Sequence, residues 1–392
     1  MLIKEKIDQA IGILQEEEVD CWLTFVRESG VVHDPALDFL IEANVTWPSA
    51  FIVTRRGESI AIVGQMDRAT IEDLGVYSSV LSYVEGIKEL LLTTLQRINP
   101  RLIAVNYSID SEICDGLTYG LYLKLLDYLK EVNLEKKVVS AEKIISRLRA
   151  QKTPTELERL RKAIAHTEDI FNLVASFIRP GRTEREIADF MMAEVAKRGL
   201  DVAWEKSHCP AVFTGPETAE AHYRPTERQV EPGHILNMDF GVKVEGYVSD
   251  LQRTFYIRRE GEMSPPAEVM QGFQTIVTAI ELARQKLKPG VQGVVVDQVA
   301  RQYIVSQGYE EFPHALGHQV GRYAHDGTAL LGPAWEKYAQ RPFEKIETNM
   351  VFTLEPRLKV KGRGIVTIED MVVVTETGAE FLSTPQKELI LI

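Results

Sequence analysis

The sequence predicts an α/β (α+β) chain in two parts, a smaller α/β domain over residues 1–150 and a larger one over 151–392 made of two pseudo-twofold-related α/β halves. Three observations lead there. With 392 residues, 45% of them hydrophobic, the chain exceeds the roughly 100–200 residues of one ordinary domain. Helical and strand-like segments alternate along its length, the pattern of α/β architecture. A helix–Pro-Gly–helix plan leading into strand-like segments occurs twice after residue 151.

In the first part, Ile3, Ile7, Ile11 and Leu14 recur at helical spacing and mark one face of a first helix. CWLTF (21–25) follows as a strand, and FIVT (51–54) and SIAIV (59–63) flank Arg55-Arg56-Gly57 as a hairpin. Helices are expected near 85–97 and 119–131, with RLIAV (101–105) as a strand between them. This part gathers no paired acids, and its only histidine is His33.

A boundary falls near Gln151. Thr153-Pro154-Thr155-Glu156 combines a capping threonine, a proline at the first helical position and a glutamate at the third, a strong helix start. That helix should run to Ile178 and stop at Pro180-Gly181, and Thr183 with Glu186 opens a second that ends at Gly199. Downstream, a helix from about Pro266 ends at Pro289-Gly290 and another ends at Gly308. Pro180 to Gly199 and Pro289 to Gly308 both span 19 residues, which gives a duplicated unit with an offset of 109. Helix–Pro-Gly–helix is a common plan, so this match alone weighs evenly between duplication and chance.

Bulk properties exclude several classes. A formal charge of −12 without a basic run argues against a nucleic-acid partner. No stretch approaches the roughly 18 apolar residues of a membrane span. The N-terminal MLIKEKIDQAIGILQEEE lacks the apolar core of a signal peptide, so a cytoplasmic address is expected. Cys21, Cys114 and Cys209 are scattered, with no C-x-x-C pair, and suggest neither a disulfide framework nor a thiolate zinc site.

The second part collects acids. HILNMDF (234–240) and YVSDLQRTFYI (247–257) surround Val244-Glu245-Gly246, and a hairpin centred between residues 244 and 245 would set Asp239 opposite Asp250. Directly opposed residues share a face, with Cβ atoms about 4.5–5.5 Å apart. FTLEPRL (352–358) and GIVTIEDMVVV (364–374) repeat the device around a turn centred on Gly362, which would set Glu355 opposite Glu369. A paired-acid hairpin in each half is a feature independent of the helix spacing, and it decides in favour of duplication. A single acid on a strand is usually a solvated face. Four acids in two cross-strand pairs repel one another, and shared protons or bound cations must relieve the repulsion. Two divalent ions would balance four carboxylates, so a metal cluster is the preferred reading.

The histidines agree with it. Six of eight lie at His208 or beyond, three of them in His314-Ala-Leu-Gly-His318-Gln-Val-Gly-Arg-Tyr-Ala-His325. His314 and His318 have i, i+4 spacing, but this is not H-E-x-x-H, and Gly317 and Gly321 disfavour a helix. One of the three is expected as a ligand and the others nearby, while His208 and His234 read as structural. A single imidazole among carboxylates suits manganese, cobalt or zinc, and affinity order does not choose among them. A calcium-stabilised structural protein would favour an all-oxygen site instead.

The order Asp239, Asp250, His318, Glu355, Glu369 resembles the five-ligand pattern of the pita-bread metallopeptidases, which include Xaa-Pro dipeptidase (prolidase), aminopeptidase P and methionine aminopeptidase. The matching stretches are MDFG (238–241) with VEGYVSDLQRTF (244–255), HALGHQVG (314–321), FTLEP (352–356) and TIEDMVVVTETGAEFL (367–382). Ala221-His222-Tyr223 also matches, with His222 placed 17 residues before Asp239. The likeness covers about residues 150–392, and residues 1–150 resemble more loosely the N-terminal domain of creatinase, prolidase and aminopeptidase P.

The resemblance implies two divalent metal ions, Asp239 binding one, His318 and Glu355 the other, and Asp250 and Glu369 bridging both. It implies a metal-bridging hydroxide as nucleophile and Glu355 as the carrier of its proton to the leaving amine. His222 and His325 would stabilise the tetrahedral intermediate and steady the scissile amide, and His314 would line the substrate pocket. The substrate would be a dipeptide or short peptide cleaved at an N-terminal Xaa-Pro bond, its α-amine near the metal of Asp239, and the protein a homodimer.

The pattern has departures. Thr367 stands two residues before Glu369, where prolidases and aminopeptidase P usually carry Arg; Arg357 follows Glu355-Pro356 where Gly is usual; Ala315 replaces a Gly. Ala329 stands where many prolidases place an Arg that meets the substrate carboxylate, and losing it removes a bidentate, charge-assisted contact. An aminopeptidase or small-amide hydrolase without strict proline specificity is therefore the alternative. Methionine aminopeptidases normally lack a domain like residues 1–150, and creatinase-like hydrolases and non-catalytic relatives typically lose ligands that are all retained here.

Overall fold

A six-stranded sheet organises the first of two units, residues 1–149, in a computed structural model that describes residues 2–217 and 223–392. Its strands follow the order Ser79–Tyr83, Ser59–Gly64, Ser49–Thr54, Cys21–Val26, Ile103–Val105, Val138–Ser140. The expected hairpin is there, with Val53 paired to Ser59, and Cys21–Val26 runs antiparallel to Ser49–Thr54 and parallel to Ile103–Val105. Side chains alternate faces along each strand. Trp22, Phe51, Val53, Ala61 and Val63 pack under the helices Leu2–Glu16 and Glu142–Ala150. Leu23, Phe25, Ile52, Ile60 and Ile62 pack under Lys88–Ile98 and Tyr119–Lys130. A sheet covered on both faces needs apolar residues at consecutive positions, which is why CWLTFV is buried throughout.

The second unit, residues 150–392, carries two helix pairs. Pro154–Phe177 and Glu184–Lys197 form the first, Ala267–Lys286 and Gly293–Ser306 the second. The later helix of each pair has 14 residues, and the two start 109 positions apart. Both capping boxes of the first pair form: Glu156 accepts from the Thr153 backbone N–H at 2.7 Å, and Glu186 from that of Thr183 at 2.9 Å. The second pair begins at Pro266 and Gln292 without side-chain caps, so packing and not capping defines its starts. Phe273, Ile276 and Ile280 from the long helix meet Phe352, Leu354, Val366 and Val372 in one core. At Gly272 a Cβ would lie 2.8 Å from a Val360 methyl, so a glycine lets that helix close on the strand Arg357–Val360.

The two hairpins differ in how they meet expectation. In the second, Leu354 pairs with Asp370 and Arg357 with Thr367, one continuous register that sets Glu355 across from Glu369. In the first, Val244 pairs with Tyr247 and Asp239 pairs with Gln252, so the turn is centred between Glu245 and Gly246. The expected pairing of Asp239 with Asp250 is thus corrected to a diagonal one. Both turn residues take positive φ, 49° at Glu245 and 82° at Gly246, as a two-residue hairpin turn of matching twist requires. Shifting the turn by one position moves the register by two, which preserves the face. Asp239 and Asp250 therefore still point the same way. Among the described residues no helix is long and apolar enough to cross a membrane.

Candidate metal centre

One row of residues crosses the strands of the second unit. Asp239, on Ile235–Phe240, has Ala211 on one side and Gln252 on the other. Gln252 bridges to Glu369, its N–H 3.3 Å from the Glu369 carbonyl oxygen and its own carbonyl oxygen 3.2 Å from the Glu369 N–H. Glu355 follows opposite Glu369, and its N–H donates to the Leu316 carbonyl oxygen at 2.8 Å. That bond ties the row to the His314–His318 segment, where Gly317–His318 is a short strand and not a helix. Gly317 permits the approach: a Cβ there would fall 1.9 Å from the Thr353 carbonyl oxygen.

His318 closes the cluster. Its Nε2 lies 3.3 Å from Glu355 Oε1, 3.8 Å from Asp250 Oδ2 and 4.0 Å from Glu369 Oε1. Its Nδ1 faces the Gln319 carbonyl oxygen at 3.4 Å, which turns Nε2 toward the carboxylates. Asp250, His318 and Glu369 offer ligand atoms within 4.8 Å of one another. The ring of His325 stands edge-on to His318 with centroids 4.3 Å apart. His314 is farther out, its ring tilted on Phe312 at 5.3 Å and its Nδ1 2.8 Å from the Ala315 carbonyl oxygen. His222 lies outside the described residues.

Charge in this space is poorly compensated. Burial, then Asp250 and Glu355, push the Asp239 carboxyl well above the usual range. Burial pushes Glu369 well up too, reinforced by Asp250, Glu355 and Asp239. Asp250 rises to about 7 by burial, with His318 opposing the rise. Burial would raise Glu355 as well, but its hydrogen bond and charge pairing with His318 hold it below the ordinary value. His318 is raised to about 9, because Glu355 and Asp250 outweigh the burial that would lower it. Burial lowers His314, which favours its neutral form.

These residues fit a divalent cation site on two counts. Asp239 Oδ1 and both carboxylate oxygens of Glu369 are buried with no hydrogen-bond donor among the described residues, a costly state for groups that ionise. Four carboxylates with one imidazole also form an oxygen-rich donor set of the kind borderline divalent ions accept.

Sequence reasoning missed several supporting residues. Arg253 donates to the Glu369 carbonyl oxygen at 2.9 Å and pairs with buried Asp370 at 3.1 Å, holding the strand end that carries Glu369. The Asp250 N–H faces Met371 Sδ at 3.3 Å. Arg301, paired with Asp297, donates to the carbonyl oxygens of Phe312 and His314. The signal available was a charged residue inside an otherwise apolar strand or helix stripe, which is ambiguous until burial is known. Of the departures, Ala329 is 4% exposed and donates its N–H to Gln319 Oε1, and Thr367 donates its hydroxyl to Gln252 Oε1 at 2.7 Å.

Known proteins resemble this chain. An uncharacterized peptidase of Bacillus subtilis is 28% identical over 71% of this chain and 73% of its own length. An uncharacterized peptidase of Staphylococcus aureus is 31% identical over 62% of this chain, which spans 65% of that relative's length. Among solved structures, an Xaa-Pro dipeptidase from Bacillus anthracis matches with a TM-score of 0.75 at 23% identity, covering 100% of both chains. That likeness shows the fold, the pita-bread architecture. The sequence pattern of metallopeptidase family M24 matches residues 158–376, more than half the chain and every residue of the carboxylate row, and on that match the chain belongs to metallopeptidase family M24.

Proposed function

We propose that this chain is a dinuclear metal-dependent exopeptidase that hydrolyses the Xaa-Pro bond at the N-terminus of dipeptides or short peptides. The observation that carries the reading is the convergence of Asp250, Glu355 and Glu369 on His318, with Asp239 beside Asp250 and Glu355, and with carboxylate oxygens of Asp239 and Glu369 buried without a hydrogen-bond donor among the described residues. Asp239 would hold one ion, His318 and Glu355 the other, and Asp250 and Glu369 both. Two such ions, manganese, cobalt or zinc, lower the pKa of water toward neutrality and polarise a carbonyl.

The chain's own residues supply the rest. Glu355, kept ionised beside His318, accepts the proton of the attacking water on a carboxylate oxygen and returns it to the leaving amine. His325 steadies the scissile amide from its place beside His318, with His222 in the same role. Neutral His314 lines the substrate pocket. Arg357, whose charge is felt at His314, stands in for the cation that Ala329 does not provide. Proline specificity is supported by a matching solved structure described as an Xaa-Pro dipeptidase. A cytoplasmic homodimer completes the reading, and three buried, unpaired cysteines suit a reducing compartment.

Ala329 favours a second reading, an aminopeptidase or small-amide hydrolase of the same fold without strict proline preference. One experiment separates them. Metal-stripped protein, resupplied with manganese, cobalt or zinc, is assayed on Ala-Pro, Ala-Pro-Ala and Ala-Ala-Ala. Cleavage confined to the proline substrates is expected, and equal cleavage of Ala-Ala-Ala selects the second reading. No turnover of any of the three with two ions bound sinks the peptidase readings and moves the search to other small amides.

A further inference from the structure

We infer that Gln252 and Thr367 act as a positioning pair for the carboxylate of Glu355, an assignment that rests on the metallopeptidase reading above. Gln252 is 8% exposed and sits mid-row, paired to Asp239 on one side and bridged to Glu369 on the other. Its side chain has two unlike ends. The carbonyl end, Oε1, accepts from the Thr367 hydroxyl at 2.7 Å, which leaves the amino end facing Glu355, with Nε2 3.4 Å from Oε2. Turned over, the amide would set a carbonyl oxygen against a carboxylate. The Glu355 carboxylate disfavours that form, and the Thr367 hydroxyl, donating to Oε1, holds the orientation in which Nε2 meets Glu355.

Thr367 is itself held. Its N–H donates to Thr254 Oγ1 at 3.2 Å, and its carbonyl oxygen accepts from the same hydroxyl. Thr254 Oγ1 is 2.7 Å from Asn237 Oδ1, and the Asn237 amide donates to the Ile365 carbonyl oxygen at 2.6 Å. This buried network is neutral throughout, so it orients without adding charge. Glu355 has His318 and the Thr353 hydroxyl on its Oε1 side, while on the Oε2 side it meets Gln252. The amide thus restrains the carboxylate that must serve both as ligand and as proton carrier. Partners of metal ligands typically contribute about 10–100-fold in metal affinity or activity.

The test compares full-length wild type with Thr367→Val, Thr367→Ser and Gln252→Met. Manganese binding to the stripped proteins is measured by calorimetry without substrate, and kcat and KM are measured on the substrate wild type prefers. Thr367→Val and Gln252→Met should bind at least one manganese about 10–100-fold more weakly and lose a similar factor in kcat with KM little changed, whereas Thr367→Ser should restore both. Wild-type affinity and kcat in folded Thr367→Val overturn the pair. If that variant does not fold, wild-type behaviour in Gln252→Met overturns it equally. A wild type that binds no manganese, cobalt or zinc overturns the metallopeptidase reading and the pair with it.

Discussion

Asp250 and His318 make the metal-free protein sensitive to pH in a definite direction. Asp250 is raised from 3.8 to about 7 and His318 from 6.5 to about 9, so in both cases the folded state holds a proton that the unfolded chain releases. Stability from a raised group is complete below its unfolded pKa and is lost as pH rises through its folded one. Asp250 therefore costs stability from about pH 4 to 7, and His318 from about 6.5 to 9. Glu355 is lowered, so its contribution is present above its ordinary pKa and is lost only in acid. The Tm of metal-stripped protein should fall between pH 5 and 9 beyond what its other groups produce, and saturating manganese should stabilise it more at pH 9 than at pH 5. A manganese shift that shrinks with rising pH would contradict this account. Asp250→Ala removes the acid expected to bridge both ions, and calorimetry should find at least one tight site gone. Two intact sites would remove Asp250 from the ligand set.

At the scale of elements, the helix Gly293–Ser306 holds the segment that delivers His318. Arg301 and Asp297 form a bidentate pair one turn apart, with both N···O distances at 2.7 Å. Arg301 also donates to the Phe312 and His314 carbonyl oxygens at 2.6 and 2.7 Å, and Asp297 accepts the Leu316 N–H at 3.1 Å. One ion pair thus fixes three backbone groups just before His318. Arg301→Ala would leave the Asp297 carboxylate buried without its partner, at a cost of about 3–5 kcal/mol. Denaturant unfolding should show that loss, with weaker metal binding; a change below about 1 kcal/mol would mean the segment holds itself. An acid and an arginine four residues apart read in sequence as a solvent-exposed pair, and only burial reveals the clamp. Other features were legible because their chemistry is local. Thr153 and Thr183 announced their helices by capping, and the turn at Gly362 set Glu355 across from Glu369. The other hairpin was misplaced by one residue because Glu245 takes a left-handed conformation that its side chain does not advertise. The two-residue period kept Asp239 and Asp250 on one face, so the cluster survived the error.

For the whole molecule, the question is whether the second unit can stand without the first. Two apolar clusters of the first unit draw on residues 3–148, and the core around Phe273 and Phe352 draws on residues 150–389. Among the described residues, none is shared between these three clusters. Asp239, Asp250, His318, Glu355 and Glu369, with Gln252, Thr367, Arg253 and Arg301, all lie in the second unit. A chain of that length buries most of the surface its unfolded form exposes, enough to stabilise a domain alone. A fragment of residues 150–392 should therefore unfold cooperatively and bind manganese with the stoichiometry of the full chain. Calorimetry on the fragment checks both. A fragment that folds but binds no metal would mean that the first unit organises the centre. One that does not fold would show that the separate cores are not separate in energy, and stability would then have to be argued for the chain as one body.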